Sequence, residues 1–191
     1  MPFRRILLAL LAFLLAGSAL ADSRQELHDA FRKGLAVTSF KATMTDLGTG
    51  KVASVVEFQA PDRYRVSAGG QPPMLMIGDT MYMNAGGRSM KMPMPKNAVG
   101  QFRNEQAIAD LEKGSKVEAL GPALLGAVPT RKYRFTSSSD KQQSSSLAWV
   151  SVASGLVLQV ETSGKNAGRP FAMRVAYSDY NSPAIRITAP K

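Results

Sequence analysis

The fold of this chain is decided by the stretch MLMIGDTMYMNAGGRSMKMPM, residues 74–94. It holds seven of the ten methionines of the sequence, at positions 74, 76, 81, 83, 90, 92 and 94. Within each of three groups the methionines are two residues apart, and side chains at that spacing project from one face of a β-strand. The stretch is therefore predicted to form three short strands.

Two turns set the register of these strands. Gly78-Asp79 suits a two-residue type II′ hairpin turn, because glycine accepts the positive φ of the first central position. A four-residue loop over residues 85–88 joins the second strand to the third. The turns together predict the facing pairs Met76–Met81, Met74–Met83, Met83–Met90 and Met81–Met92. All these methionines then share one face, which is predicted to be the inward one.

Residues 1–21 have the features of an export signal. Arg4 and Arg5 precede a short apolar run over residues 6–15, and Ala19-Leu20-Ala21 supplies the small-x-small pattern of a cleavage site. Ser18 stands where a bacterial lipoprotein signal has its cysteine, and the chain contains no cysteine at all. An exported, periplasmic protein without a lipid anchor or disulfides is therefore expected.

The mature chain, residues 22–191, is predicted to form a single domain. Loss of Arg4 and Arg5 with the leader lowers its formal net charge from +10 to +8. Export makes nucleic acid an unlikely partner for this charge, and no nucleic-acid binding is predicted. Anionic lipid head groups or acidic partners fit the compartment better, and plain solubility explains the charge equally well. A monomer is expected.

The sequence gives no indication of catalysis. It has no cysteine nucleophile, and its one histidine, His28, lies on a predicted surface helix where it is expected to be solvated. The acidic residues are scattered, and Gly48-Thr49-Gly50 lacks the rest of a phosphate-binding fingerprint. The protein is therefore predicted to be no enzyme and to need no cofactor.

Around the methionine stretch the chain alternates between turn residues and short apolar–polar runs. Two helices are predicted, at residues 23–33 with an apolar stripe of Leu27, Ala30 and Phe31, and at residues 104–113. About ten strands in hairpin order are expected, the last at residues 185–188. The turn at residues 153–155 is predicted to pair Val150 with Leu158 and Val152 with Leu156. The predicted class is α+β: a strongly curved antiparallel half-barrel whose concave face is covered by helices.

Five segments carry a resemblance to a known family. They are EFQAPDRYRV (57–66), IGDTMYM (77–83), PTRKYRF (129–135), LAWVSVASGLVLQVE (147–161) and VAYSDYNSPAIRITAP (175–190). In their order they resemble the LolA-like superfamily of periplasmic lipoprotein carriers and LppX- and LprG-like lipid-binding proteins. The resemblance implies an open half-barrel that holds acyl chains between sheet and helices. Ala60 stands where LolA-type carriers tend to have a basic residue, which argues against transfer of triacylated lipoproteins, and the missing lipobox cysteine argues against the anchored members. A soluble carrier or lipid-binding paralogue remains.

The methionine face has three interpretations: a plain core, a wall for acyl chains, or a thioether site for Cu(I) at Met90, Met92 and Met94. The second is favoured, because methionine adapts to variable apolar ligands and specifies a tight core poorly. The predicted cavity is lined by Phe40, Met44, Phe58, Met74, Met76, Met81, Met83, Met90, Met92, Val150, Leu156 and Leu158. Expected partners are lipid or lipoprotein acyl chains, with inner- and outer-membrane transport proteins as candidates. A periplasmic copper-binding protein and a non-carrier module that senses lipoproteins stay open as alternatives.

Overall fold

The computed structural model describes residues 23–85, 88–95, 103, 116–139 and 142–190. Helix α1 covers residues 23–35. The strands are β1 (Ser39–Asp46), β2 (Val52–Gln59), β3 (Arg63–Ala68), β4 (Met74–Ile77), β5 (Thr80–Ala85), β6 (Arg88–Pro93), β7 (Lys116–Leu125), β8 (Val128–Ser139), β9 (Gln142–Ser151), β10 (Val157–Asn166) and β11 (Arg169–Ser178). The predicted leader and the second predicted helix at 104–113 lie outside the described residues.

All eleven strands form one antiparallel sheet, in the order β6-β5-β4-β3-β2-β1-β11-β10-β9-β8-β7. Strands that are consecutive in sequence pair with each other, except β6 and β7, and the pairing of β1 with β11 joins the two meanders β1–β6 and β7–β11. The order is linear, and β6 and β7 stand at its two ends. The predicted α+β class and hairpin order are confirmed.

Three of the four facing pairs predicted for the methionine stretch are confirmed. Met76 faces Met81 across β4 and β5, while Met81 faces Met92 and Met83 faces Met90 across β5 and β6. Gly78 has a φ of 58°, as the first central position of a type II′ turn requires. The second loop is shorter than predicted, because Ala85 and Arg88 still pair and only residues 86 and 87 join the strands.

Helix α1 lies on the same face of the sheet as the methionines. Leu27 and Ala30, the predicted apolar stripe, are 2% and 3% exposed, and Phe31 packs beside them. They cover Tyr133, Phe135, Ala148, Val150 and Val157, which come from β8, β9 and β10. Cross-strand pairs place this group on the face that also carries Met81: Tyr133 pairs with Ala148, Ala148 with Val160, Val160 with Val175, and the series continues through β1 and β2.

The strand predicted at residues 185–188 is wrong. This segment has no strand pairing, and it bonds with side chains of β2 and β3 that project from the face opposite to Phe58 and Tyr64. The Ile187 N–H donates to the side chain of Gln59 at 2.7 Å, and Arg63 donates to the Ile187 carbonyl at 2.8 Å. Ile185 and Ile187 are buried there. The side chains of Gln59 and Arg63 bond to the backbone of this segment in place of a partner strand. No strand can pair there, because β1 and β2 already have neighbouring strands on both sides.

Within the described residues, no helix is long and apolar enough to cross a membrane.

Candidate ligand-binding site

One row of facing residues crosses six strands of the sheet. It runs through Phe40, Phe58, Tyr64, Met76, Met81 and Met92, each paired with the next. Facing residues of an antiparallel pair project from the same side of the sheet and lie about 5 Å apart. We call the side that carries this row the methionine face. Five of the predicted cavity residues are thereby brought into one continuous apolar track.

A second row runs beside the first on the methionine face. It contains Ala42, Val56, Val66 and Met74, and the pair Met83–Met90 extends it over β5 and β6. Met44 lies two residues from Ala42 in β1 and pairs with Val175 of β11. The predicted residues Met44, Met74, Met83 and Met90 therefore share the face with the first row.

Burial changes along the methionine face. Phe58 is 2% exposed and Tyr64 is 8% exposed, and both are packed by Phe40, Val56, Met76 and Met94. The methionines of β4 and β5 and Met92 are half-buried, while Met90 at the edge is 44% exposed. The face thus passes from a buried aromatic centre to a methionine surface that is only partly covered.

The remaining predicted cavity residues belong to the other end of the sheet. Val150 is buried under helix α1, and Leu156 is buried just before β10. The predicted pairs Val150–Leu158 and Val152–Leu156 are wrong. Val150 pairs with Val157, and a bulge between Val157 and Gln159 leaves Leu158 without a facing residue. The N–H of Ser151 donates to the Leu156 carbonyl at 2.9 Å, so the turn closes one residue earlier than predicted.

Arg103 is a site residue that the sequence did not reveal. Its guanidinium lies 3.7 Å from the ring centroid of Phe58 and 5.2 Å from that of Phe40. It also donates hydrogen bonds to the carbonyls of Gly34 and Leu35 at the end of helix α1, at 2.7 and 3.1 Å. Burial lowers the pKa of Arg103, and the nearby Tyr64 hydroxyl opposes that shift. No spacing rule links residue 103 to strands some 40 to 60 positions away.

Tyrosines complete the aromatic centre beside β1. The Tyr177 and Tyr180 rings are stacked with centroids 6.3 Å apart, and the Tyr177 ring meets Phe40 edge to face at 5.9 Å. The Tyr180 hydroxyl donates to the Val157 carbonyl at 2.5 Å. Burial raises the pKa of both tyrosines, so they are neutral hydrogen-bonding groups at neutral pH.

A polar group marks the other end of helix α1. The Tyr133 hydroxyl donates to the Glu26 carboxylate at 2.5 Å, and Arg131 forms an ion pair with the same carboxylate. Burial, followed by the Glu26 charge, raises the pKa of Tyr133 to about 12. The Glu26 carboxylate thus joins helix α1 to β8.

The described residues offer little for metal or acid–base chemistry. None of their His, Cys, Asp and Glu side chains form a group of three or more that would hold a metal ion. Met94 packs on Phe58 and Tyr64 and is half-buried, whereas Met90 is 44% exposed, so their thioethers have different surroundings, which does not favour the copper interpretation. The prediction that His28 is solvated is wrong, because its side chain is only 10% exposed and Nδ1 lies 3.6 Å from Asp29.

Comparison with solved structures identifies the fold. The chain is similar to the lipoprotein LppX of Mycobacterium tuberculosis, with a TM-score of 0.66 and 15% identity over 88% of this chain and 99% of LppX. It is also similar to LprF of Mycobacterium bovis, with a TM-score of 0.64 and 12% identity over 89% and 97% of the two chains. No family model and no curated protein sequence matches the chain.

The chain therefore shares the fold of LppX and LprF, which here is one antiparallel sheet with a helix on one face. At these identities the likeness concerns the fold alone, and the function follows from the site.

Proposed function

We propose that this protein is an exported carrier or binding protein that holds lipid or lipoprotein acyl chains on the methionine face. One observation carries the proposal: a continuous apolar track crosses six strands, and its methionines are half-buried instead of fully packed. A tight core would bury these side chains as completely as helix α1 buries Val150.

The chemistry of methionine suits this task. Its side chain is unbranched and polarizable, so it adapts to acyl chains of different length and shape. Each buried methylene of a ligand contributes about 0.8 kcal/mol, and a long chain laid along the track would bury many of them. Part of that gain offsets the cost of ordering the ligand. Affinity in the micromolar range or better is expected.

The geometry of the carrier follows from the sheet. We propose that the sheet curves into a half-barrel with the methionine face on its concave side, so that a hollow lies between β1–β6 and the elements that cover it. Helix α1 covers the β8–β10 end of that face. LppX, the first of the two similar structures, is named as a lipoprotein, and two proteins of this fold are found in mycobacteria.

The proposed location and partners rest on the sequence. The Arg-led apolar leader and the cleavage pattern before Asp22 support export to the periplasm. The absence of cysteine supports a protein without a lipid anchor. Membrane transport proteins that deliver or accept the cargo are candidate partners.

Native mass spectrometry after mild purification tests the proposal. The expected result is a set of adducts whose masses match acyl lipids and which dissociate in organic solvent. A fluorescent fatty acid is the second probe, added after delipidation. If purified protein carries no lipid and the fluorescent fatty acid does not bind, the proposed function is wrong.

A matched pair of variants assigns binding to one face. Met81 and Tyr82 are neighbours in β5, both half-buried, and project from opposite faces. Met81→Gln places an amide on the track and is expected to weaken fatty-acid binding about tenfold. Tyr82→Gln leaves the track unchanged and is expected to bind like the native protein. Equal losses in both variants would show that the methionine face is not the binding surface.

A further inference from the structure

Arg103 carries a positive charge into the aromatic centre of the methionine face. Its guanidinium contacts the π faces of Phe58 and Phe40, and two backbone carbonyls at the end of helix α1 accept its hydrogen bonds. Both kinds of contact stabilise a cation, the first through the ring quadrupole and the second through the negative end of the helix dipole. The side chain is half-buried, so its charge is only partly screened by water.

The groups around Arg103 differ from those around other arginines of the sheet. Arg65, Arg131, Arg134 and Arg174 each form an ion pair with a glutamate. The described groups that act most strongly on Arg103 are the hydroxyls of Tyr64, Tyr180 and Tyr177. These hydroxyls are neutral at neutral pH, as tyrosine ordinarily is, and burial raises the pKa of each further. Among the residues that the structure describes, rings, hydroxyls and backbone carbonyls surround this guanidinium, and none of their carboxylates forms an ion pair with it.

A pocket of about 280 Å³ opens beside Arg103. Its wall is formed by the last residue of helix α1 and the segment after it, residues 35–38, by Phe58 and Tyr64, and by the turn that contains Asp62. This volume corresponds to several water molecules at about 30 Å³ each. Phe58 and Tyr64 also contact Met76 and Met94, so the pocket adjoins the methionine track.

We propose that Arg103 binds the anionic headgroup, a phosphate or carboxylate, of an amphiphile whose acyl chain lies on the methionine face. The planar guanidinium presents its donors as a fork that matches the oxygens of either anion. Tyr64 lines the same pocket, and its hydroxyl can donate a second hydrogen bond to the anion. Asp62 opposes the anion, but its carboxylate is exposed, so water screens its charge. This assignment rests on the proposed function and names the ligand class.

Two ligands with the same chain separate the headgroup from the acyl chain. Dodecyl phosphate and dodecanol are compared by displacement of a neutral fluorescent alkyl probe from the delipidated protein. Dodecyl phosphate is expected to bind at least about tenfold more tightly than dodecanol, as a charge-assisted hydrogen bond implies. If neither the probe nor dodecanol binds, the proposed function fails. If dodecanol binds and dodecyl phosphate binds no better, only the headgroup assignment fails.

Substitutions test whether Arg103 causes the preference for dodecyl phosphate over dodecanol. Arg103→Gln is expected to abolish the preference for dodecyl phosphate while dodecanol affinity stays within about twofold. Arg134→Gln removes the same charge from an exposed ion pair with Glu118 and is expected to keep the preference. An unchanged preference in Arg103→Gln overturns the assignment.

Two further variants test the assignment in case Arg103→Gln does not fold, since Arg103 also bonds to the end of helix α1. Tyr64→Phe keeps the ring in the aromatic centre and is expected to reduce the preference about threefold by removing one donor. Asp62→Asn removes a carboxylate from the pocket wall and is expected to strengthen phosphate binding severalfold. Failure of both variants to move the preference overturns the assignment even where Arg103→Gln does not fold.

Inorganic phosphate distinguishes a lipid headgroup from a free anion. At concentrations at which dodecyl phosphate displaces the probe, inorganic phosphate is expected to leave dodecyl phosphate binding unchanged. If it competes as well as dodecyl phosphate does, Arg103 marks a site for free anions and the headgroup assignment is wrong.

Discussion

The same sheet face is filled differently at its two ends. At the β8–β10 end, helix α1 buries Tyr133, Ala148 and Val150 until each is at most 8% exposed. At the β4–β6 end, the methionines are half-buried, and Met90 is 44% exposed. Tight packing stabilises the fold, whereas flexible side chains that are only partly buried leave space for a ligand. The comparison supports the proposal that one end stabilises the fold and that the other end binds the ligand.

The largest expected effect lies at the helix-covered end. Leu27 is 2% exposed and contacts the buried cluster, so Leu27→Ala removes apolar contacts and leaves a cavity. A loss of about 2–5 kcal/mol in the free energy of unfolding is expected. Chemical denaturation followed by circular dichroism measures it. A loss under about 1 kcal/mol would mean that this end is as loosely filled as the methionine end.

The next effect concerns the polar link between helix α1 and β8. Tyr133→Phe removes the hydroxyl that donates to Glu26 and leaves the ring in place. A loss of about 1–2 kcal/mol in stability is expected at neutral pH, because a hydrogen bond to a charged acceptor is lost. Arg134→Gln, at an exposed ion pair, is the control and is expected to change stability by less than about 0.5 kcal/mol.

The same tyrosine gives the protein an alkaline pH dependence. The pKa of Tyr133 is about 12 in the folded protein, against about 10 for an unfolded tyrosine, so the folded state holds the proton more tightly. Its contribution to stability is complete below pH 10 and is lost as the pH rises through 12. Denaturation curves at pH 9 and pH 11.5 are expected to show a smaller loss in Tyr133→Phe than in the native protein. Equal losses would contradict the raised pKa.

A smaller effect is expected at the methionine end. Met81→Ala shortens a half-buried side chain and is expected to cost about 1 kcal/mol or less, while weakening fatty-acid binding more than fivefold. Both the stability and the fatty-acid affinity of the variant are measured, because the two ends of the sheet are expected to differ in which of them changes more. A stability loss as large as that of Leu27→Ala, with unchanged affinity, would make this face a plain core.

The smallest effect is expected at the sheet edge. Met90 is 44% exposed, so Met90→Leu is expected to leave stability within about 0.5 kcal/mol of the native value. Cu(I) titration against a competing chelator is measured on the same variant and is expected to match the native protein. A clear loss of Cu(I) affinity would support a thioether site for Cu(I) that includes Met90.

The sequence predicted the parts of this structure whose signals are local. The spacing of two between methionines and the Gly78-Asp79 turn determine the register of β4 and β5, and both are visible within ten residues. The stripe of Leu27, Ala30 and Phe31 likewise identified the buried side of helix α1. These features depend on strand and helix periods, which adjacent residues reveal.

Other features depend on contacts between distant parts of the chain. The bulge at Leu158 shifts the pairing of β9 and β10, and no residue of the turn between these strands predicts the bulge. Residues 185–188 alternate like a strand, but side chains of Gln59 and Arg63 take up their backbone groups. Arg103 is joined to Phe40 and Phe58 only by the fold. Periodicity carries no information about such pairings.

Photo-crosslinking with a diazirine-labelled fatty alcohol tests the central claim most directly, because mass spectrometry of the digested protein reads out which residues contact the bound chain. Met76, Met81 and Met92 form adjacent pairs on one face, and they are expected to carry the adducts. An excess of unlabelled fatty acid is expected to suppress these adducts. Adducts confined to Leu75 and Tyr82 on the opposite face, or to residues beneath helix α1, would contradict the account.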